Sequence, residues 1–341
     1  MSRKYGLRIA VAAYLFLSTG LAYVTIKRHI GKDYSTLDIY FVQQEGVRLA
    51  QGENPYVRIL QGNMRENQKY PTYVPLVYLC SAVTSLTLGE RYRDFQLFWS
   101  PVCVLSHFAI GLLLLLVLGR RCGTFYGVLI GVYWALGRWP LMAMTGEFQD
   151  PPALLAFALS LILYQRRSRA ACLVFGLSLA IKHLALFVAP LFVIWEYRRG
   201  ARDDAARRAV VALLLILAIP AVLSLPFFVW SPEGFVKSIL FSGTRLAEDS
   251  VGAGSFDARI GLEGLAARLP LLALMLLLYV VTYQGILKPW GSATLCFALF
   301  LSFNSVVFPV YLCWLICLVP LAVVEWMEPL PTASDIRPAG T

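Results

Sequence analysis

The 341-residue sequence contains few charged residues, which make up only 15% of the chain. Soluble domains usually carry about 25% charged residues. Hydrophobic residues instead account for 58% of the chain, and the mean hydropathy is +0.66. This composition excludes a disordered protein and an ordinary cytosolic enzyme, and it predicts a protein that crosses a membrane several times.

Paired cysteines are also missing. The sequence has seven cysteines, none in a Cys-x-x-Cys pair and nearly all in apolar runs, so we interpret them as core residues. A disulfide framework and a zinc knuckle are thereby excluded. The sequence also lacks a glycine-rich phosphate loop and a Ser-His-Asp or Cys-His arrangement. Its net charge of +10 is spread over loops, unlike the basic patches of nucleic-acid-binding proteins.

Apolar runs recur along the chain and alternate with basic clusters. The runs cover residues 7–26, 95–119, 124–145, 151–165, 170–195, 210–230, 269–287, 292–303 and 306–324. The basic clusters lie at residues 120–121, 166–169, 198–199 and 207–208 and at Lys288. Because cytoplasmic loops are enriched in Lys and Arg, we predict that these clusters face the cytoplasm.

If all the basic clusters face the cytoplasm, the chain must cross the membrane an even number of times between one cluster and the next. This is possible if residues 170–195 form a hairpin of two short helices with Lys182 and His183 at its outer tip. It also requires residues 71–88 to form an outer-surface or re-entrant segment, which Pro71 and Pro75 favour. We therefore predict an all-α integral membrane protein with about ten transmembrane helices and both chain ends in the cytoplasm.

The predicted topology gives a single transmembrane domain over residues 1–328 and a disordered cytoplasmic tail over 329–341. It leaves two long segments outside, residues 27–94 and 231–268. In the first, Ser35 and Asp38 have the spacing of a capping box. The residues that follow predict an amphipathic helix in the membrane interface.

Charged side chains at a membrane edge are costly and are therefore site candidates by default. The predicted topology brings seven such residues to one outer level: Asp38, Glu147, Asp150, Lys182, His183, Arg245 and Arg259. Lys182 stands in an apolar hairpin without an adjacent acid, so we favour an anionic phosphate as its partner over snorkelling to the interface. His183 is either a residue packed at the tip of the hairpin or a hydrogen-bond donor to the same phosphate. Arg245 and Arg259 bind the same phosphate or belong to the loop surface.

The acids also have structural interpretations. Asp38 could serve only as a capping-box partner, and Asp150, which precedes Pro151 and Pro152, could be a helix N-cap. Glu147 could belong to a solvated loop or to the start of the next helix, where acids are favourable, but it is freer of the capping explanation and is the stronger candidate for a substrate site.

Several short motifs follow the first predicted span in a fixed order. After a first span come Leu37-Asp38-Ile39-Tyr40, Gly52-Glu53-Asn54-Pro55-Tyr56 and Tyr70-Pro71-Thr72-Tyr73-Val74-Pro75. This series resembles the first outer loop of GT-C superfamily glycosyltransferases. It is most similar to glycosyltransferase family 87, the polyprenol-phosphate-mannose-dependent mannosyltransferases. The segments at 146–150, 176–182 and 303–311 resemble later elements of the same family.

The resemblance implies transfer of a sugar, with mannose favoured, from a polyprenyl-phosphate donor to an acceptor hydroxyl by inverting displacement at the outer face. It implies that Asp38 is the general base and that Lys182, His183, Arg245 and Arg259 bind the donor phosphate. Further substrate-site candidates are Glu147, Asp150, Tyr40, Asn54 and Tyr56, the last three with loop structure as their alternative. The first loop lacks an Asp-x-Asp motif, so a metal or other cofactor is not favoured.

The expected partners are the lipid-linked sugar donor, a glycolipid, glycan or protein acceptor, and the lipid bilayer of the plasma (inner) membrane. Nucleic acid is not expected. A transporter or flippase of a lipid-linked sugar would use the same cation-lined cavity without a base. A non-catalytic assembly subunit would not need converging charges. The sequence shows no repeat between halves of the kind that transporters often have.

Overall fold

A computed structural model describes residues 3–35, 37–62, 69–244, 259–262, 266–304 and 308–327 of the chain. Within these ranges the chain is helical and contains no β-strand, which confirms the predicted all-α class. Arg245 and the predicted tail at 329–341 lie outside the described residues.

The described part of the chain is built from α-helices that are joined by connections of very different lengths. In chain order they are α1 (Arg3–His29), α2 (Asp38–Ala50), α3 (Leu76–Thr87), α4 (Tyr92–Arg121), α5 (Thr124–Leu136), α6 (Arg138–Thr145), α7 (Asp150–Tyr164), α8 (Ser168–Ile181), α9 (Ala189–Arg198), α10 (Ala205–Trp230), α11 (Pro232–Thr244), α12 (Leu269–Gln284), α13 (Pro289–Phe303) and α14 (Leu312–Met327). Short 3-10 segments at Pro55–Leu60, His183–Val188 and Pro309–Tyr311 precede α3, α9 and α14.

Four helical segments in the described chain are long and apolar enough to cross a membrane: Tyr5–His29, Tyr92–Arg121, Arg202–Trp230 and Pro309–Met327. Shorter apolar helices lie beside them, among them α5, α7, α8, α12 and α13. The chain is therefore an all-helical membrane protein. This observation does not establish how many helices cross the membrane, so the predicted number of about ten spans stays a prediction.

The segment from α8 to α9 reverses direction at Lys182, where the backbone becomes extended (φ −151°, ψ 115°). Near the turn, the Ser178 hydroxyl donates to the Ala153 carbonyl at 2.8 Å. The rings of Phe175 and Phe192, from the two arms, stack with centroids 4.6 Å apart. At the far end, Arg199 reaches the Tyr164 carbonyl at 3.4 Å. These contacts confirm the predicted hairpin with Lys182 at its tip.

Polar contacts between distant helices define a second end of the bundle, away from this tip. Arg121 donates to Gln165 at 2.7 Å, Arg198 to the Thr282 carbonyl at 3.0 Å, and Lys288 to the Glu325 carbonyl at 2.8 Å. We call this the basic end. Its cations are Arg120, Arg121, Arg166, Arg167, Arg169, Arg198, Arg199, Arg202, Arg207, Arg208 and Lys288. The clusters that the sequence predicted to share one side therefore do meet at one end of the fold.

The first long segment folds over the opposite end, which we call the cavity end. Helices α2 and α3 pack so closely that a Cβ added to Gly46 would lie 2.2 Å from the Cβ of Ser81, which requires glycine there. The apolar face of α2, with Ile39 and Val42, is buried against α3 and α4. The amphipathic pattern thus reflects packing against protein.

The capping-box prediction is wrong. Helix α2 begins at Asp38 with Leu37 as its N-cap, and no side chain caps it. The Ser35 amide instead donates to the Asp33 carboxylate at 2.8 Å, in a turn that precedes the helix. The Asp38 carboxylate is consequently available for other contacts.

Candidate functional site

A cavity of about 390 Å³ lies at the cavity end, between the first long segment, the hairpin tip, α11 and the ends of α13 and α14. Asp38, Lys182 and His183 all line it, as the sequence predicted. The other polar residues of the lining are Glu45, Lys69, Tyr70, Thr72, Tyr73, Tyr78, Asn304 and Tyr311. The cavity therefore collects side chains from segments that are far apart in the sequence.

Asp38 contacts a cation that the sequence analysis did not assign to the site. Lys69 Nζ lies 2.8 Å from Asp38 Oδ1, and the two side chains are 35% and 41% exposed. The same ammonium lies 5.7 Å from the centroid of the Phe41 ring. Because both partners reach open space in the cavity, a ligand could replace either of them in this ion pair.

Lys182 has an acidic partner, so the prediction of a cation without an adjacent acid is wrong. Its Nζ lies 2.7 Å from Asp150 Oδ2, and the two side chains are only 6% and 0% exposed. The other carboxylate oxygen of Asp150 accepts a hydrogen bond from Trp314 Nε1 at 2.8 Å. The Lys182 ammonium also lies 4.8 Å from the centroid of the Tyr311 ring. Three elements thus fix this cation at the cavity wall.

The N-cap interpretation of Asp150 is wrong for a related reason. Asp150 is the first residue of α7, Gln149 is the N-cap, and no side chain caps the helix. Both carboxylate oxygens are engaged by Lys182 and Trp314 instead. Asp150 supports the site from behind Lys182 and is not among the residues that line the cavity.

Glu45 is a cavity residue that the sequence analysis missed. Its Oε1 pairs with Arg58, while its Oε2 is buried without a hydrogen-bond partner among the described residues. Burial raises the pKa of Glu45 even though Arg58 acts in the opposite direction. Asp38 and Glu45 are seven residues apart on α2, a spacing that places them on the same helix face. That spacing was a usable signal.

His183 lines the cavity beside Lys182, with its ring centroid 6.2 Å from that of Tyr73. Its Nδ1 is buried and has no hydrogen-bond partner within the described part of the chain. The imidazole is therefore not committed to a structural hydrogen bond at that atom.

Glu147 does not line the cavity. Its backbone has a positive φ of 54°, which turns the chain between α6 and α7. Its carboxylate accepts hydrogen bonds from Tyr92 at 2.9 Å, from Gln96 at 3.4 Å and from Ser100. Burial raises the pKa of this carboxyl. Glu147 ties the α6–α7 connection to α4, and this arrangement gives it no direct access to a ligand in the cavity.

The remaining candidates lie outside the cavity lining. Tyr40 packs against Phe41 and Tyr92. Asn54 Oδ1 accepts from the Tyr56 amide at 3.1 Å, and the buried Tyr56 hydroxyl donates to the Tyr73 carbonyl at 2.7 Å. Tyr56 thus positions a wall of the cavity from behind.

The two second-loop arginines are not brought to the cavity by the described structure. Arg259 is exposed and does not line the cavity, and Arg245 lies outside the described residues.

The rest of the cavity is apolar and aromatic. Its members include Leu184, Leu186, Phe187, Ile239, Leu240, Phe241, Phe300 and Phe308. The side-chain chemistry of the cavity therefore combines carboxylates, ammonium groups and a large apolar wall. Among the described residues, no group of three or more His, Cys, Asp or Glu side chains is arranged to hold a metal ion.

Comparison of the chain with protein-family models, with curated proteins and with solved structures gives no match. The likeness to GT-C glycosyltransferases consequently depends on the motifs in the sequence and stays a prediction.

Proposed function

We propose that this protein is a membrane glycosyltransferase of the GT-C type, which transfers a sugar, with mannose favoured, from a polyprenyl phosphate to an acceptor hydroxyl. The observation that carries the proposal is the meeting of Asp38, Lys182 and His183 in one cavity. The motif resemblance assigned Asp38 and Lys182 complementary roles, although they stand in segments more than a hundred residues apart.

Asp38 is suited to the role of general base in this reaction. The acceptor oxygen attacks the anomeric carbon while its proton passes to the Asp38 carboxylate, and the bond from that carbon to the phosphate oxygen breaks. The electron pair of the broken bond leaves on the polyprenyl phosphate. One such displacement inverts the anomeric centre, and proton transfer to a positioned carboxylate typically accelerates a reaction by about 10²–10⁴-fold.

The departing phosphate needs compensating positive charge. Lys182 stands at the wall with its position fixed by Asp150, whereas Lys69 can exchange Asp38 for a ligand oxygen. His183 can add a neutral hydrogen-bond donor. The reaction thus needs no group beyond the side chains of the chain itself.

The apolar part of the cavity suits the polyprenyl tail. Leu184 and Phe187 from the hairpin, Ile239 from α11 and Phe300 from α13 lie on the same lining as the charged residues. An amphiphile with a phosphate at one end and a hydrocarbon chain at the other matches both parts.

We infer that the chain crosses the membrane about ten times, in α1, α4, α5–α6, α7, α8, α9, α10, α12, α13 and α14. Successive members of this series run between the basic end and the cavity end. Because cations accumulate on the cytoplasmic side, the basic end is assigned to the cytoplasm and the cavity to the outer face of the plasma (inner) membrane.

The experiment uses the purified full chain in liposomes that contain a radiolabelled polyprenyl-phosphate mannose and a membrane extract as the source of acceptors. Transfer predicts that label moves from the polyprenyl phosphate to a new product. Movement of intact donor between leaflets without a new product would support the flippase and contradict the proposal.

A further inference from the structure

A second cavity, of about 490 Å³, opens at the basic end between the start of α8, the end of α9 and the start of α10. We call it the basic cleft. Its charged lining consists of Arg169, Arg199, Arg207, Arg208, Glu196 and Asp204. Four cations against two anions give the cleft a positive balance, and the proposed transfer reaction makes no use of it.

Two of the arginines are held in place by the protein. Arg208 donates from Nε to the Glu196 carbonyl at 3.2 Å and from Nη2 to the Ala201 carbonyl at 2.8 Å. Arg199 Nη1 lies 3.5 Å from Glu196 Oε1 and 3.4 Å from the Tyr164 carbonyl. These contacts fix two guanidinium groups on one wall of the cleft.

The other two arginines have no such commitment. Arg169 and Arg207 are exposed, and neither forms a hydrogen bond or an ion pair with any residue that the structure describes. A guanidinium group carries five N–H donors in a planar fork that matches a phosphate group. The cleft therefore combines two guanidinium groups that the protein holds in place with two exposed guanidinium groups, those of Arg169 and Arg207, that are available to a ligand.

The cleft is also partly apolar. Cys172, Val211, Ala212 and Leu215 complete its lining. Beyond the mouth, exposed leucines continue along both helices: Leu173 and Leu177 on α8, and Leu214 and Leu217 on α10. On α8 these leucines stand four and eight residues after Arg169, so they follow the same helix face away from the charge.

We propose that the basic cleft binds the phosphate headgroup of an anionic phospholipid, with the acyl chains lying along the leucines of α8 and α10. Inorganic phosphate shares the headgroup chemistry but would gain nothing from the apolar rows. Basic pockets between membrane helices on the cytoplasmic side are suited to anionic headgroups for this reason.

The test titrates the full chain, purified in an uncharged detergent, with phosphatidylglycerol, with phosphatidylcholine of the same acyl chains, and with inorganic phosphate. Native mass spectrometry counts bound lipid, and thermal unfolding reports stabilisation. We expect saturable binding and a raised Tm with phosphatidylglycerol alone. Equal stabilisation by inorganic phosphate, or equal binding of phosphatidylcholine, would overturn the proposal.

The variant pair Arg169→Gln with Arg207→Gln should weaken phosphatidylglycerol binding by about tenfold or more, because two charge-assisted contacts are lost. The matched control is Arg166→Gln with Arg202→Gln, which removes the same charge from the same end but outside the cleft. The control should stay within about twofold of the native protein, since distant surface charges are screened. Equal weakening by both pairs would indicate only the general positive field and would overturn the site.

A third pair, Arg169→Lys with Arg207→Lys, keeps the charge and removes the planar forks, so binding should fall between the other two results. It also provides the comparison if the glutamine pair does not fold. If both the lysine pair and the glutamine pair bind phosphatidylglycerol as tightly as the native protein, Arg169 and Arg207 have no role in binding. The sugar-transfer assay tests the cavity at the opposite end of the molecule, so its outcome is independent of the lipid-binding result at the basic cleft.

Discussion

Two Asp–Lys pairs at the candidate site differ in how far they are withdrawn from solvent. The Asp38–Lys69 pair is more than one-third exposed on either side and has open space around it. The Lys182–Asp150 pair is almost completely buried and is fixed further by Trp314 and Tyr311. Both pairs have nearly the same separation, 2.8 Å and 2.7 Å, so distance alone does not distinguish them.

The difference in burial separates a pair that can exchange partners from one that cannot. Exposed ion pairs are typically worth about 0–1 kcal/mol, so a ligand can break one at little cost. Removing one partner of a buried pair leaves an uncompensated charge, which costs about 3–5 kcal/mol. We therefore expect Asp38–Lys69 to serve the reaction directly and Lys182–Asp150 to serve both the fold and the site.

The largest expected effect is that of Asp38→Asn on the transfer rate. Asparagine keeps the size of the side chain but cannot take the acceptor proton, so turnover should fall by about 10²–10⁴-fold. The Tm should change little, because the ion pair that is lost is partly exposed. Transfer kinetics and thermal unfolding on the same preparation check both statements.

Asp33→Asn is the matched control for Asp38→Asn, since Asp33 stands five residues earlier in the same segment and outside the cavity lining. It should transfer sugar at nearly the native rate. A folded Asp38→Asn protein that transfers as fast as this control would remove Asp38 from the mechanism.

The second prediction concerns stability. Asp150→Asn leaves the Lys182 ammonium buried without its counter-charge, so the free energy of unfolding should fall by about 3–5 kcal/mol. Adding Lys182→Met to this variant removes the stranded charge and should restore part of the loss. The measurement is a double-mutant cycle, in which thermal unfolding is compared for the native protein, the two single variants and the double variant. Additive losses would show that the two side chains do not interact.

The third prediction is the converse, an effect on function without one on stability. Lys69→Met should change stability by no more than about 1 kcal/mol. If Lys69 moves to the donor phosphate, loss of that contact removes about 1.5–3 kcal/mol of binding free energy. The KM for donor should then rise about 10–150-fold. An unchanged KM would confine Lys69 to its contact with Asp38.

The smallest effect is expected at Glu147, a buried carboxylate that accepts hydrogen bonds from the hydroxyl groups of Tyr92 and Ser100 and from the Gln96 amide. Burial raises its pKa in the folded state, so the folded protein binds more protons than the unfolded chain between the two pKa values. Stability should therefore fall as pH rises from the unfolded pKa of about 4.3 through the raised folded value. Glu147→Gln should flatten this dependence.

The measurement for Glu147 is thermal unfolding of the native and Gln proteins from acid to neutral pH in the same detergent. Unlike Asp150→Asn, this variant strands no cation. A pH dependence that is equal in both proteins would assign the dependence to other groups, such as Glu45.

Much of the large-scale arrangement was predictable from the sequence. Basic clusters between apolar runs were enough to infer that their cations meet at one end and that residues 170–195 form a hairpin. Both inferences depend on the cost of placing charge in a membrane, which acts on whole segments. The convergence of Asp38, Lys182 and His183 was predictable because it followed from that topology together with the motif resemblance.

The partners of individual side chains were not predictable in the same way. Asp38 meets Lys69, and Asp150 meets Lys182, across 31 and 32 residues of chain. No helical or strand periodicity connects residues so far apart, so their pairing depends on how the segments pack. The capping-box spacing at Ser35 failed because the local turn begins at Asp33, and local spacing alone cannot decide which residue starts a helix.

The shortness of the hairpin has a consequence for how a substrate arrives. Helix α8 has 14 residues, which at 1.5 Å per residue extend for about 21 Å. The hydrocarbon layer of a bilayer is about 30 Å thick. If the basic end lies at the cytoplasmic surface, Lys182 and the cavity that it lines stand within the hydrocarbon layer, short of the opposite headgroups. A lipid-linked donor would then diffuse in laterally without leaving its leaflet, and the rate would follow its surface density in the membrane instead of its bulk concentration.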